Sequence, residues 1–201
     1  ADKIHQIMGQ PFEIGNYSLI TSFSIGVAIF PDDGEDFDVL MQKADTAMYH
    51  AKEAGRNSHR FFTEQMNWAV VEHMNLETRL RHALENGEFV LHYQPQLDLQ
   101  ERTIVGVEAL VRWNSPENGL VPPAKFIPVA EESGLIVRIG AWVLREACRQ
   151  AKAWQDAGLP PLVMAVNLSA IQFRRLDLIN TVIDALVLSD LDSQWLELEL
   201  T

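Results

Sequence analysis

Gly106-Val107-Glu108-Ala109-Leu110-Val111-Arg112-Trp113 sets an acid and a base into an apolar run with a period of two. Val105, Val107, Ala109, Val111 and Trp113 alternate with Gly106, Glu108, Leu110 and Arg112, the pattern of a β-strand with two unlike faces. One face reads as packing. The other carries a carboxylate and a guanidinium four residues apart, at the strand's C-terminal end, where α/β barrels keep their chemistry.

Two later stretches repeat the device. In Leu162-Val163-Met164-Ala165-Val166-Asn167-Leu168-Ser169 the amide Asn167 arrives after five apolar residues, and in Trp195-Leu196-Glu197-Leu198-Glu199-Leu200-Thr201 the carboxylate Glu199 arrives in strict alternation. Long helical patterns separate these strands, as in a parallel β/α array whose strand ends converge on one rim. Convergent oxygen donors from Glu108, Asn167 and Glu199 suit a hard divalent cation such as Mg²⁺ or Mn²⁺, and the lack of nearby Cys and His disfavours zinc.

With 47% hydrophobic and 22% charged residues, the 201-residue chain has the composition of a folded globular protein, long enough for one large or two small domains. A net charge of −12 argues against wrapping duplex nucleic acid, which needs a basic stripe. A small phosphodiester remains compatible, with a metal supplying the positive charge. The one cysteine, Cys148, lies in an apolar-periodic helix and reads as a buried structural thiol; no intrachain disulfide can form, in keeping with a reducing cytoplasm. There is no run of 18 apolar residues and no signal-like N-terminus, so a cytoplasmic location is expected, with any membrane attachment made by segments outside these residues.

Taken in order, Ser18 to Phe30 has strand character, with Ile20, Phe23, Ile25, Val27 and Ile29 apolar, until Pro31-Asp32-Asp33-Gly34 breaks it. Phe37, Leu40, Met41, Ala44, Ala47, Met48 and Ala51 then follow helical spacing, with Gly55 placed to end the helix. Residues 62–85 hold a helical period free of Gly and Pro, through Met66, Ala69, Val70, His73, Met74, Leu76, Leu80 and Leu84, and predict a stiff connector on which His73 and His82 are exposed. After the Asn86-Gly87 turn, a strand at Phe89–Pro95 is joined to residues 103–113 without a helix. A turn-rich loop through Asn114–Gly119 and Pro122-Pro123 precedes helices over about 124–133, 138–157 and 174–189.

Five ordered motifs give residues 76–201 a resemblance to the EAL family of cyclic di-GMP phosphodiesterases. They are Tyr93-Gln94-Pro95, Glu108-Ala109-Leu110-Val111-Arg112-Trp113, Phe126-Ile127-Pro128-Val129-Ala130-Glu131, Val166-Asn167-Leu168-Ser169 and Glu199-Leu200-Thr201. The resemblance implies the first half of a TIM-like (β/α)₈ barrel whose first strand is antiparallel. Residues 1–62 resemble the C-terminal α+β part of a GGDEF (diguanylate cyclase) domain through Ser24-Ile25-Gly26-Val27-Ala28, Pro31-Asp32-Asp33-Gly34, Ala44-Asp45-Thr46-Ala47-Met48-Tyr49-His50-Ala51-Lys52 and Gly55-Arg56-Asn57. Residues 63–75 are then a helical linker.

By this resemblance Glu108, Asn167 and Glu199 are metal ligands, with Glu108 also catalytic. Gln94 and Leu110 contact cyclic di-GMP, and Arg112 pairs one of its phosphates as a planar donor fork. An inward Glu108 paired with Arg112 is the structural alternative, and Glu197 reads as a deeper structural acid. Lys52 and Arg56, four residues apart, share a helical face that meets the phosphates of GTP, or merely complements the helix dipole. The implied activity is metal-dependent hydrolysis of cyclic di-GMP to linear pGpG, with a homodimer as the full-length form. A degenerate cyclic di-GMP receptor and net diguanylate cyclase activity are the other readings. Further acidic ligands of the family are expected beyond Thr201, in a longer natural protein.

Overall fold

The structure, a computed structural model, describes residues 1–8, 10–15, 17–19 and 21–201, and of these the side chains of all but residues 8, 53, 69 and 70. Ile20, in the strand expected over 18–30, and the Ala69 and Val70 side chains of the connecting helix lie outside the described residues. The chain divides into two units, Ala1–Met74 and Asn75–Thr201.

The first unit opens with helix α1 (Asp2–Met8) and an antiparallel pair, β1 (Phe12–Ile14) and β2 (Tyr17–Leu19). Strand β3 (Ile25–Val27), helix α2 (Phe37–Glu53) and strand β4 (His59–Phe61) follow, with β4 parallel to β3. The single strand expected over 18–30 is thus two strands in two different sheets. Its apolar alternation runs across both, and periodicity does not register that residues 17–19 fold back on 12–14 while 25–27 pair with 59–61. Asp36 caps α2 by accepting from the Val39 N–H at 2.9 Å.

The end of α2 corrects one expectation. Gly55 takes φ +107°, and the Arg56 N–H reaches back to the Ala51 carbonyl at 3.2 Å, the closing bond of a Schellman turn. Arg56 itself has φ +60° and lies past the helix. Lys52 and Arg56 therefore do not share a helical face, because i,i+4 adjacency holds only while the helix continues.

Helix α3 (Glu64–Asn86) is the expected connector, and the division between the units falls within it. In the second unit its Leu76, Leu80 and Ala83, at i, i+4 and i+7, are buried in the core. Gly87, at φ +68°, turns the chain into β5 (Phe89–Asp98), which pairs antiparallel with β6 (Thr103–Ser115). The Asp98 carboxylate holds the intervening turn by accepting from the Gln100 and Glu101 N–H groups at 2.7 and 3.0 Å.

β6 organises the unit. It is flanked by β5 on one side and by β8 (Val163–Leu168) on the other, and between them the chain forms β7 (Gly119–Val121), α4 (Pro123–Glu132) and α5 (Leu135–Asp156). After β8 come α6 (Ala170–Phe173), α7 (Leu178–Ser189), a 3₁₀ turn at Ser193–Trp195 and β9 (Leu196–Leu200). The sheet order is β5-β6-β8-β9, with β6, β8 and β9 parallel. Among the described residues β5 pairs with β6 alone, and Pro95 stands opposite Val107. The antiparallel first strand and the parallel β/α succession are those the motifs imply.

The packing face of β6 holds as expected at Val107, Ala109 and Trp113, which join Phe126, Ile139, Leu144, Met164 and Val166 in one core. Trp113 is fully buried, and its indole N–H donates to a Glu88 carboxylate oxygen at 2.9 Å. Burying Phe126 against it, edge to face with ring centres 6.1 Å apart, contributes about 2–3 kcal/mol. Val105 departs from the pattern and is exposed. Gln96 pairs Gly106 whereas Leu97 pairs Ile104, so Val105 is the extra residue of a β-bulge.

Three smaller differences share one origin, local hydrogen bonding that apolar periodicity does not see. The loop after Trp113 contains β7, which folds back on Trp113–Ser115 across Gly119 at φ +64°. α5 begins at Leu135 rather than 138, because Gly134 at φ +74° lets the chain leave α4 and re-enter a helix at once. α7 begins at Leu178 rather than 174, because residues 169–173 are taken by the separately capped α6.

Cys148 is fully buried on α5, and burial pushes its thiol up to about 11. The neutral thiol is the form the fold favours. Its contribution to stability is complete below the ordinary value of 9.0 and is lost as pH rises toward about 11. A disulfide reagent, which only a thiolate can attack to form a mixed disulfide and release the reagent's other thiolate, is expected to leave the folded protein unlabelled at pH 8 and to label it fully in urea. Complete labelling of the folded protein within minutes would contradict this burial.

Candidate active site

The register of the sheet places the polar residues in rows. Gln94 pairs Glu108, Glu108 pairs Ala165 and Ala165 pairs Glu197, so these four residues lie across the sheet on one face. Two residues further along each strand, on the same face, His92 pairs Leu110 and Asn167 pairs Glu199. One more step brings Val90 opposite Arg112. Glu108, Asn167 and Glu199 therefore stand on three adjacent parallel strands with their side chains on a common face. Asn167 is on the middle strand of the three, level with Glu199 and two residues beyond the row of Glu108.

Glu108 is not at the end of its strand, since β6 runs on to Ser115. It is at the end of the parallel pairing with β8, which finishes at Ala109 opposite Val166. The contact that joins the strands is direct: the Asn167 amide Nδ2–H donates to Glu108 Oε1 at 2.6 Å. Asn167 Oδ1 is left without a hydrogen bond among the described residues, as is the Glu199 carboxylate.

The electrostatics separate the two readings of Glu108. Arg112 does not pair with it; the guanidinium donates to the Val111 carbonyl at 2.8 Å. Among the described residues neither Glu108 nor Glu199 has an ion-pair partner. Half-buried carboxylates that flank an amide oxygen, with no side-chain cation beside them, leave negative charge to be balanced from outside the chain. The donors are hard oxygens, and three of them would leave positions open for water or phosphate, so their chemistry fits a hard divalent cation. No cluster of three or more His, Cys, Asp and Glu of metal-binding geometry occurs among the described residues.

A cavity of about 190 Å³ opens between the strand ends and α4, α5 and α6, and of the three oxygen donors Asn167 lines it whereas Glu108 and Glu199 do not. Leu110, Arg112 and Asn167 line it, whereas Gln94 is exposed on the edge strand away from its walls. Glu131, Ser169, Gln172 and Thr201 line it as well, and none of the four was singled out as a site residue. For two of them a signal was present: Ser169-x-x-Gln172 is the spacing of a helix capping box. Thr201 donates from both its N–H and its hydroxyl to the Leu168 carbonyl, at 3.1 and 3.3 Å, which ties the end of β9 to the end of β8.

Glu197 differs from expectation. It is exposed rather than deep, because β9 is the last strand of the sheet among the described residues and nothing there covers that part of its face. Lys52 and Arg56 are exposed in the first unit and take no part in this site. No helix among the described residues is long and apolar enough to cross a membrane.

Comparison with known proteins agrees with both halves of this picture. Residues 77–201 match the EAL domain family, and residues 1–58 match the family described as diguanylate cyclase, GGDEF domain. The whole chain is 46% identical to part of the bifunctional diguanylate cyclase/cyclic di-GMP phosphodiesterase MucR of Pseudomonas aeruginosa, spanning 29% of that protein. It is 44% identical to part of the cyclic di-GMP phosphodiesterase PdeR of Escherichia coli, spanning 30% of it. The chain thus covers less than a third of either relative.

Among solved structures, the PaMucR phosphodiesterase in complex with c-di-GMP aligns over 62% of this chain and 50% of its own, at 48% identity and a TM-score of 0.60. The FimX EAL domain from Pseudomonas aeruginosa bound to c-di-GMP aligns over 62% and 49%, at 26% identity and a TM-score of 0.56. The family match covers most of the chain and falls on the unit that holds Glu108, Asn167 and Glu199, so the chain belongs to the EAL domain family, preceded by a GGDEF segment.

Proposed function

We propose that the second unit belongs to an enzyme that hydrolyses cyclic di-GMP to linear pGpG with a divalent cation, Mg²⁺ or Mn²⁺, held by Glu108, Asn167 and Glu199. The observation that supports this most directly is the shared face: three oxygen-bearing side chains from adjacent strands, in two successive rows, two of them anionic, with no ion-pair partner among the described residues. EAL phosphodiesterases are in general dependent on divalent metals. Such an ion, when bound, supplies a water that is nucleophilic near neutral pH and relieves charge on the phosphoryl oxygens.

The chain's own residues do the remaining work. The Asn167 amide steadies the Glu108 carboxylate through its N–H, and its oxygen is left to serve a cation. Arg112, in the cavity wall, is free to exchange its bond to the Val111 carbonyl for a forked pair with a phosphate of the ligand. Leu110 gives the adjoining apolar surface, and Gln94, exposed in the row of Glu108, offers an amide to the ligand's base. In the first unit Lys52 and Arg56 would meet a phosphate of GTP as exposed cations on either side of the Gly55 turn.

The test is turnover by the full-length protein. Cyclic di-GMP is expected to be linearised in the presence of Mg²⁺ or Mn²⁺, with activity lost on chelation and restored by added metal. Tight binding of cyclic di-GMP without hydrolysis under any divalent ion would replace this reading with that of a receptor.

A further inference from the structure

Asn167 is the one uncharged member of the set, and the strand that carries it ends one residue later, at Leu168, where the chain turns into α6. We propose that Gln172 is the positioning residue that sets this turn and so holds Asn167 in place; the inference rests on the reading of Asn167 as a cation ligand. Gln172 is nearly fully buried at 5% exposure, although an amide at a helix surface is ordinarily solvated. Its Oε1 accepts from the Ser169 N–H at 3.2 Å, and its own N–H donates to Ser169 Oγ at 3.3 Å. The box therefore closes two residues after Asn167, on a residue that is itself buried.

The seat for this amide is built into another helix. A Cβ at Gly140 on α5 would lie 1.8 Å from Gln172 Nε2 and 2.6 Å from its Cδ. Gly140 and Gln172 line the same cavity as Asn167 and Ser169. Four residues are thus joined in one chain of contact. Gly140 leaves room for Gln172, Gln172 fixes the Ser169 N–H, and Ser169 directly follows Leu168, the last residue of the strand that carries Asn167. Among the described residues Gln172 makes no hydrogen bond to Glu108 or Glu199, so its effect on the site is expected to pass through Asn167.

The experiment measures Mn²⁺ affinity by electron paramagnetic resonance in the full-length protein, at a temperature where every variant is folded by circular dichroism. Gln172→Met keeps the bulk and removes the acceptor, and is expected to weaken Mn²⁺ about 10–100-fold, the range for loss of a group that orients a metal ligand. Gln172→Glu restores the acceptor in a box that glutamate also completes, and is expected to bind within about threefold of the unaltered protein. Gly140→Ala leaves the Gln172 chemistry intact but takes its seat, and is expected to follow Gln172→Met; it serves if Gln172→Met does not fold.

Asn167→Ala separates the two claims. If it weakens Mn²⁺ while Gln172→Met and Gly140→Ala do not, Gln172 is only a helix cap and the inference is overturned. If Asn167→Ala itself leaves Mn²⁺ affinity unchanged, the ligand reading fails, and the inference fails with it.

Discussion

Glu108→Gln in the full-length protein is expected to abolish turnover of cyclic di-GMP, lowering kcat by about 10³-fold or more, equivalent to about 4 kcal/mol of lost transition-state stabilisation. Glutamine keeps the volume of the side chain and an oxygen able to accept from Asn167 Nδ2, so the 2.6 Å contact between the strands can survive. What it removes is the charge. With one carboxylate fewer in the row, the attraction for a divalent cation falls, and metal affinity is expected to drop together with kcat. The melting temperature should stay within a few degrees, because Glu108 makes no ion pair whose loss would leave a partner stranded.

Glu197→Ala supplies the contrast. Glu197 lies on the same face as Glu199, one row back, but it is exposed and has no partner among the described residues. Its removal is expected to change stability by less than about 0.5 kcal/mol and to leave hydrolysis nearly intact. Urea titration and initial rates measured side by side for the two variants decide the matter. Equal losses of activity would mean that Glu108 and Glu197, which share a row across the sheet, act alike, and Glu108 would then have no special claim to the metal.

The legibility of this chain follows a physical boundary. Period-two alternation reports which residues of a strand share a face, and that was enough to place Glu108 with Arg112, to find Asn167 and Glu199, and to imply parallel strands between helices. It does not report where a strand bends or which strand it pairs with. Hence Val105 reads as packing until the bulge at Leu97 and Ile104 is seen, and residues 18–30 read as one strand although 17–19 and 25–27 belong to different sheets. The burial of a side chain depends on neighbours distant in sequence, which is why Glu197 looked deep and stands exposed. Helix ends lie between these cases. Gly55 signalled the end of α2, yet counting four residues from Lys52 to Arg56 ignored that very signal.

Gly26 shows the same boundary from the side of stability, and Gly26→Ala is expected to destabilise the first unit by about 3 kcal/mol. As sequence, Gly26 only weakens a strand. In the fold it is where β3 lies against α2: a Cβ there would stand 1.8 Å from the Ala44 carbonyl oxygen and 2.4 Å from the Met48 nitrogen. Both atoms are helix backbone, so they cannot swing aside as a side chain would. The strand and the helix must separate, and that loosens the packing around the fully buried Ala47 and Ala51. Overpacking by a single methyl usually costs about 1–3 kcal/mol, and contact with backbone belongs at the upper end of that range. Gly55→Ala is the calibrating variant, since a Cβ there meets nothing within 4 Å and the cost comes only from φ +107°. That strain is worth about 1–2 kcal/mol. Urea unfolding followed by a probe in residues 1–74 should therefore rank Gly26→Ala below Gly55→Ala, and both below the unaltered protein. If Gly26→Ala proves as stable as the unaltered protein, β3 and α2 cannot approach each other as closely as described.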